Sequence, residues 1–179
     1  MRHDPAPGEL GLIERFCNTA THLWRQDAFS TVSGANTWLA QNGFPAVPGD
    51  RQRKELVEAR EAIRAFLVDR SSDNARRRLN EFALASLGPP QIGPGGTIAF
   101  RQPGHAVSSP VISAALSALL SRGLSAAGER LKACAASDCH YVFYDHSRSK
   151  TGTWCDMNIC GARHKMRSYR SRRVAGSGD

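Results

Sequence analysis

The chain has 179 residues, 41% of them hydrophobic and 22% charged, the balance of a folded domain of medium size with a small appendage. That composition excludes wholesale disorder, a collagen-like repeat and a membrane bundle. The most apolar run, Val111 to Leu120, carries two serines and falls far short of the roughly 20 residues a bilayer needs. The net charge of +8 is concentrated at one end: residues 1–129 balance at +2 and residues 130–179 at +6. A basic segment of this kind is either a solvated tail or a surface for a polyanion, most often nucleic acid. The opening MRHDPAPGEL lacks the apolar core of a secretory signal, so the expected compartment is the cytoplasm.

Apolar residues at Leu12, Ile13, Phe16, Cys17, Ala20, Leu23 and Trp24 recur with helical spacing and predict a helix over Glu9 to Trp24. A shorter helix is expected near Ser33–Gln41, with Trp38 and Leu39 inward and Asn42-Gly43 ending it. After a loop at Pro45 and Pro48-Gly49, Asp50 is the candidate N-cap of a long helix to about Arg70. Ser71-Ser72-Asp73 breaks it, and Asp73 caps a further helix to about Leu87 that buries Leu79, Phe82 and Ala83. Arg76-Arg77-Arg78 reads as its solvated face. Gly88 to Gly96 is a loop without the Gly-Lys-Ser/Thr of a phosphate-binding turn. Thr97 to Arg101 reads as a strand whose partner is not evident. Ser109-Pro110 starts a helix to about Ser121, stopped by Arg122-Gly123, and a short helical piece follows from Leu124 to about Glu129. The fold class expected is α+β: a mostly helical N-terminal domain over residues 1–129 with a small β-sheet, then a separate module over 130–179. The six histidines, at 3, 22, 105, 140, 146 and 164, form no catalytic grouping by spacing, and the chain is not expected to be an enzyme.

Four of the five cysteines fall in one window, as Cys134-x4-Cys139-x15-Cys155-x4-Cys160. Two short-spaced pairs of thiolates set the corners of a tetrahedral zinc site. Disulfides and an accidental cluster of buried thiols are the competing accounts, and the first suits a secreted chain. His140 and His146 lie in the same window as substitute ligands, which the symmetry of the pairs disfavours. Cys17, within an apolar pattern, reads as core. Between the pairs, Tyr141 to Tyr144 predicts a strand, Asp145 to Gly152 a turn, and Thr153-Trp154 a return strand, giving a hairpin between the two knuckles. After Cys160, a helical wheel puts Ala162, Met166 and Tyr169 on one face, to pack on the hairpin and Trp154. Arg163, Arg167 and Arg170 share another face. Knuckle, hairpin and helix make a treble-clef zinc finger.

These residues carry a resemblance. Cys134 and Cys139, Asp145-His-Ser147-Arg148, Trp154-Cys155, Met157, Cys160-Gly161-Ala162-Arg163 and Tyr169-Arg170 look like the CGNR-type zinc finger. That finger closes two-domain bacterial proteins with an N-terminal ABATE domain, to which Phe16-Cys17-Asn18-Thr19 and Arg60 are similar. The chain departs from the pattern at Ala162, where the family has Asn, at Ser149, and at Gly152-Thr153, often arginine. The resemblance implies a stress-linked, DNA-binding transcriptional regulator. The expected cofactor is one structural Zn2+ on Cys134, Cys139, Cys155 and Cys160, with no open position for catalytic water. The expected contacts to nucleic acid are Arg148, Arg163, Lys165, Arg167, Arg170, Arg172 and Arg173, with DNA as the partner. The alternatives are an RNA-binding protein and a protein-interaction module. The N-terminal domain is expected to hold a small-molecule effector, homodimer contacts, or both, and no membrane is expected as partner.

Overall fold

The computed structural model describes residues 4–93, 96, 98–101, 109–122 and 125–175, with the helical backbone alone for 173–175. His3, Thr97, His105, Gly123, Leu124 and the side chain of Arg173 lie outside the described residues. Helix α1 (Leu10–Cys17) buries Leu10, Ile13, Phe16 and Cys17, but it stops well before the expected end at Trp24. Thr19 turns its hydroxyl back onto the Phe16 carbonyl at 2.8 Å, and Asn18 gives its side chain to a distant strand, both local competitors of helix continuation. The chain then makes a two-residue ladder, β1 (Ala20–Thr21) against β2 (Gln26–Asp27), around a 3-10 turn at His22–Trp24.

Helix α2 (Val32–Gln41) is capped by Thr31, which accepts from Gly34 N–H at 3.0 Å. In α3 (Asp50–Val68) the cap is Gly49, and Asp50 is the first helical residue, where it ion-pairs with Arg53 and Lys54. Likewise α4 (Asp73–Ser86) is capped by Ser72, which accepts from Ala75 N–H, and Asp73 sits in its first turn, the place a carboxylate favours. The strand expected near Thr97–Arg101 is β4 (Ile98–Phe100), and its partner β3 (Pro90–Ile92) lies inside the segment read as loop. Helix α5 (Pro110–Arg122) follows the sequence expectation closely. Of the helical piece expected over Leu124 to about Glu129, residues 125–127 form a bend and turn and Gly128–Arg130 a 3-10 turn.

Strands β5 (Leu131–Ala133) and β6 (Val142–Tyr144) pair antiparallel, Leu131 opposite Tyr144 and Ala133 opposite Val142. The hairpin therefore flanks the first cysteine pair; it does not lie between the two pairs. Thr153 takes no strand position: its carbonyl accepts Ala135 N–H at 3.1 Å and its hydroxyl donates to the Thr151 carbonyl at 3.2 Å. The reason lies in burial. Leu131, Val142 and Tyr144 belong to the same core as Ile13, Phe16, Phe29, Leu56, Ile63, Ile112 and Leu116. Phe143, on the opposite face as strand alternation requires, packs with the four cysteines. One small sheet thus joins two hydrophobic clusters. The last helix, α6 (Ala162–Ala175), follows a π turn at Met157–Gly161. No described helix is long and apolar enough to cross a membrane.

Candidate metal centre

The first knuckle is shaped by two backbone bonds, Cys134 N–H to the Tyr141 carbonyl at 2.8 Å and Cys139 N–H to the Ala136 carbonyl at 2.9 Å. The second pair is positioned by Asp156, whose carboxylate accepts from Asn158 and Ile159 N–H and starts the turn that contains Cys160. Gly161 sits in a crowded place: a Cβ would stand 2.4 Å from the Met157 sulfur, so that side chain would have to move, and 3.3 Å from the Trp154 ring. All four sulfurs are buried and lie within 4.8 Å of one another. Cys139 and Cys155 sulfurs are 3.6 Å apart, and Cys155 and Cys160 sulfurs 3.7 Å. A tetrahedron with Zn–S bonds of about 2.3 Å has edges of about 3.8 Å, whereas a disulfide would need about 2.05 Å. All five cysteines are free thiols, so the donor set fits structural Zn2+ and not a disulfide framework.

The protonation of this cluster also calls for a cation. Hydrogen bonds from Cys139 and then Cys155 pull the Cys134 thiol down to about 2. Cys155, bonded to Cys134 and Cys139, is pushed far above its ordinary value. Thiolates packed this closely oppose one another's ionisation, and a bound divalent ion offsets that repulsion and lets all four ionise. Cys17 stays apart in the core, where burial pushes its thiol up to about 12. Neither histidine of the window joins the sulfurs. His146 bonds the Asp4 carbonyl at 2.9 Å, and His140 turns toward His22, ring centroids 6.3 Å apart.

Several residues beyond the sulfurs hold the module in shape. Asp145, 4% exposed, accepts from Lys132 Nζ at 2.7 Å, Ser147 N–H at 3.0 Å, Ser147 Oγ at 2.6 Å and Gly152 N–H at 2.7 Å. Its carboxylate also explains Gly152: a Cβ there would lie 2.8–2.9 Å from the carboxyl atoms, so an arginine at this position needs a different loop. Arg64, reaching from α3, donates to the carbonyls of His140 (2.8 Å), Ala20 (3.2 Å) and Cys17. Asn18 accepts Val142 N–H at 2.9 Å and donates to the Val142 carbonyl at 2.7 Å, acting as a one-residue strand beside β6. Arg70 donates to the carbonyls of Gly128 and Leu131. Sequence reasoning missed Arg64, Arg70 and Lys132, because a buried or clamping arginine or lysine has the same spacing as a solvated one.

Of the expected contact residues, Lys165, Arg167, Arg170 and Arg172 are exposed on α6, and Arg148 is exposed in the loop after β6. Arg163 is half-buried and ion-paired with Asp138 of the knuckle, and Arg167 stands 3.8 Å from the same carboxylate. The apolar face of α6 does not pack as expected. Met166 is 53% exposed and Tyr169 52% exposed. Trp154 meets His164, ring centroids 4.8 Å apart. Ile159, Ala162 and Met166 instead line an open groove of about 550 Å³ rimmed by Arg163, Arg167 and Arg170.

Comparison with known proteins agrees with this geometry. Residues 130–173 match the CGNR zinc finger. Residues 11–132 match the ABATE domain, described as a putative stress-induced transcription regulator. Among curated proteins none matches the chain. With well over half of its length in one match and its four clustered cysteines in the other, the chain belongs to the ABATE family and ends in a zinc-binding CGNR finger.

Proposed function

We propose that this zinc-binding regulator acts by laying α6 on DNA. The observation that carries the reading is a run of exposed cations, Lys165, Arg167, Arg170 and Arg172, on a helix that begins beside the metal ligand Cys160. Zinc supplies a rigid seat for that helix, and the cations neutralise phosphates. Arg148 extends the same chemistry from the finger's loop. Arg163 serves the knuckle through Asp138 and contributes least to binding. The role is recognition and not catalysis, since four thiolates leave zinc no open position, and its setting is the cytoplasm.

The test is a salt series of binding by the zinc-loaded full chain to labelled duplex DNA, with duplex and single-stranded RNA run in parallel. Affinity for DNA should fall linearly on a log–log plot, by about 0.9 per phosphate neutralised. Arg167→Ala should weaken binding to unrelated duplexes alike and reduce that slope by about 1. Unchanged affinity and slope would remove α6 as the contact surface, and tighter binding to RNA would move the target.

A second reading rests on the exposed Met157, Met166 and Tyr169. Apolar side chains ringed by arginines also suit an acidic, partly apolar protein segment. In that case Met166→Ser would abolish partner binding while leaving any binding to DNA intact.

A further inference from the structure

A trough of about 410 Å³ lies where α3, α4 and the zinc knuckle meet, within the size range of small-molecule sites, about 300–1,000 Å³. Glu61, Arg64, Ala65 and Val68 form its floor along one stripe of α3, and Ala75 and Arg78 of α4 line it as well. His22 and His140 complete the lining. From Glu61 to Asp69 the stripe is about 12 Å long at 1.5 Å per residue.

The charges of the lining are unequally engaged. Glu61 accepts from Arg60 Nε at 2.8 Å and from Arg64 Nε at 3.0 Å. Asp69 accepts from the N–H and hydroxyl of Ser71. Arg64 is taken up by Glu61 and by three backbone carbonyls. Arg78, exposed, pairs with no carboxylate among the described residues. Arg78 is thus the guanidinium of the lining left open to an anion, while the Asp69 carboxylate is turned onto Ser71. Ala65, Ala75 and Val68, the last 48% exposed, offer hydrocarbon a surface beside it. A divalent cation is a poor occupant, because the carboxylate nearest the histidines already serves two arginines, and among the described residues the only metal-type cluster is the four cysteines.

We propose that this trough binds a small organic anion, a carboxylate on an apolar stem, with Arg78 facing the carboxylate and the Ala65–Val68–Ala75 wall holding the stem. The site also touches the metal centre. Arg64 fixes the carbonyl of His140, and His140 follows ligand Cys139 with a left-handed backbone, φ +49°, a conformation a non-glycine residue keeps only when its surroundings impose it. An occupant of the trough therefore lies beside Arg64 and His140, against the knuckle as well as the helical core. This names the chemical class of the effector expected for the N-terminal domain. Only its regulatory consequence rests on the DNA reading; binding does not.

The experiment titrates the zinc-loaded full chain with benzoate, phenylacetate and hexanoate, followed by thermal melting and by amide shifts. The expected result is saturable stabilisation by at least one of the three, with the amides of Arg64, Cys139 and His140 among those that move. Arg78→Gln, exposed and so expected to fold and to retain zinc, should weaken that binding about tenfold, the worth of one charge-assisted hydrogen bond. Arg77→Gln, outside the trough on the same helix, should leave it unchanged. Saturation by none of the three acids, equal binding by Arg78→Gln, or equal displacement by inorganic phosphate would overturn the proposal. Carboxylate binding by a chain that ignores DNA would sink the DNA reading and leave the trough standing.

Discussion

Asp145 shows how much a single side chain does in this finger. It is buried, and its oxygens collect one ammonium, one hydroxyl and two backbone N–H groups, which together hold its carboxyl well below the ordinary carboxylate range against the opposing effect of burial. A group whose pKa is lowered by folding adds stability that is fully present above its unfolded value, about 3.9, and is lost as pH falls through the folded value. Asp145→Asn should therefore destabilise the chain by an amount constant between pH 5 and 8, about 2–3 kcal/mol for charge-assisted bonds in a buried setting. The gap to the native chain should narrow only below about pH 4. Urea unfolding of both proteins across that range measures it, and a gap that closes near neutrality would mean that Asp145 is not the ionised hub. The four cysteines were legible because metal spacing is a property of the chain itself. Arg64 was not, because nothing local marks an arginine on α3 whose partners are carbonyls of residues 17, 20 and 140.

Among the elements, those set by local patterning were legible. Helices α3 and α5 have apolar periodicity and flanking turn residues, α5 also a proline start, and both occur nearly where expected. The elements read differently are those decided by tertiary partners. Strand β5 gave no signal as Leu131-Lys132-Ala133, and it exists because Leu131 closes the helical core while pairing with Tyr144. Helix α1 ends where Asn18 leaves it to bracket Val142 from both sides. That side chain does for β6 what a neighbouring strand would do. Asn18→Ala leaves the N–H and carbonyl of Val142 without their partners in a part-buried place, so a loss of about 2 kcal/mol is expected. The same variant should raise hydrogen exchange at the Val142 amide selectively. Exchange unchanged at that amide would show that Asn18 is incidental to the strand.

At the level of the whole molecule, the hairpin gives the two clusters unequal fates when zinc is withdrawn. The face made of Leu131, Val142 and Tyr144 belongs to the large helical core, and it is further tied by Asn18 and by Arg70. None of those contacts needs the metal. The segment from Cys155 onward is different. Among the described residues its buried groups are Cys155, Cys160 and Gly161, and Met166 and Tyr169 of α6 are exposed. Without a cation nothing bonds Cys155 and Cys160 to the first knuckle, and the anchor of α6 is lost. Chelation should thus remove the helical far-UV signal of α6 while α1–α5 retain theirs, and it should lower the melting temperature without abolishing the transition. Binding to duplex DNA should disappear in the same titration and return with added zinc. A chelated chain that unfolds throughout would mean that the core depends on the finger; one that keeps α6 ordered would mean that zinc does not seat the helix at all.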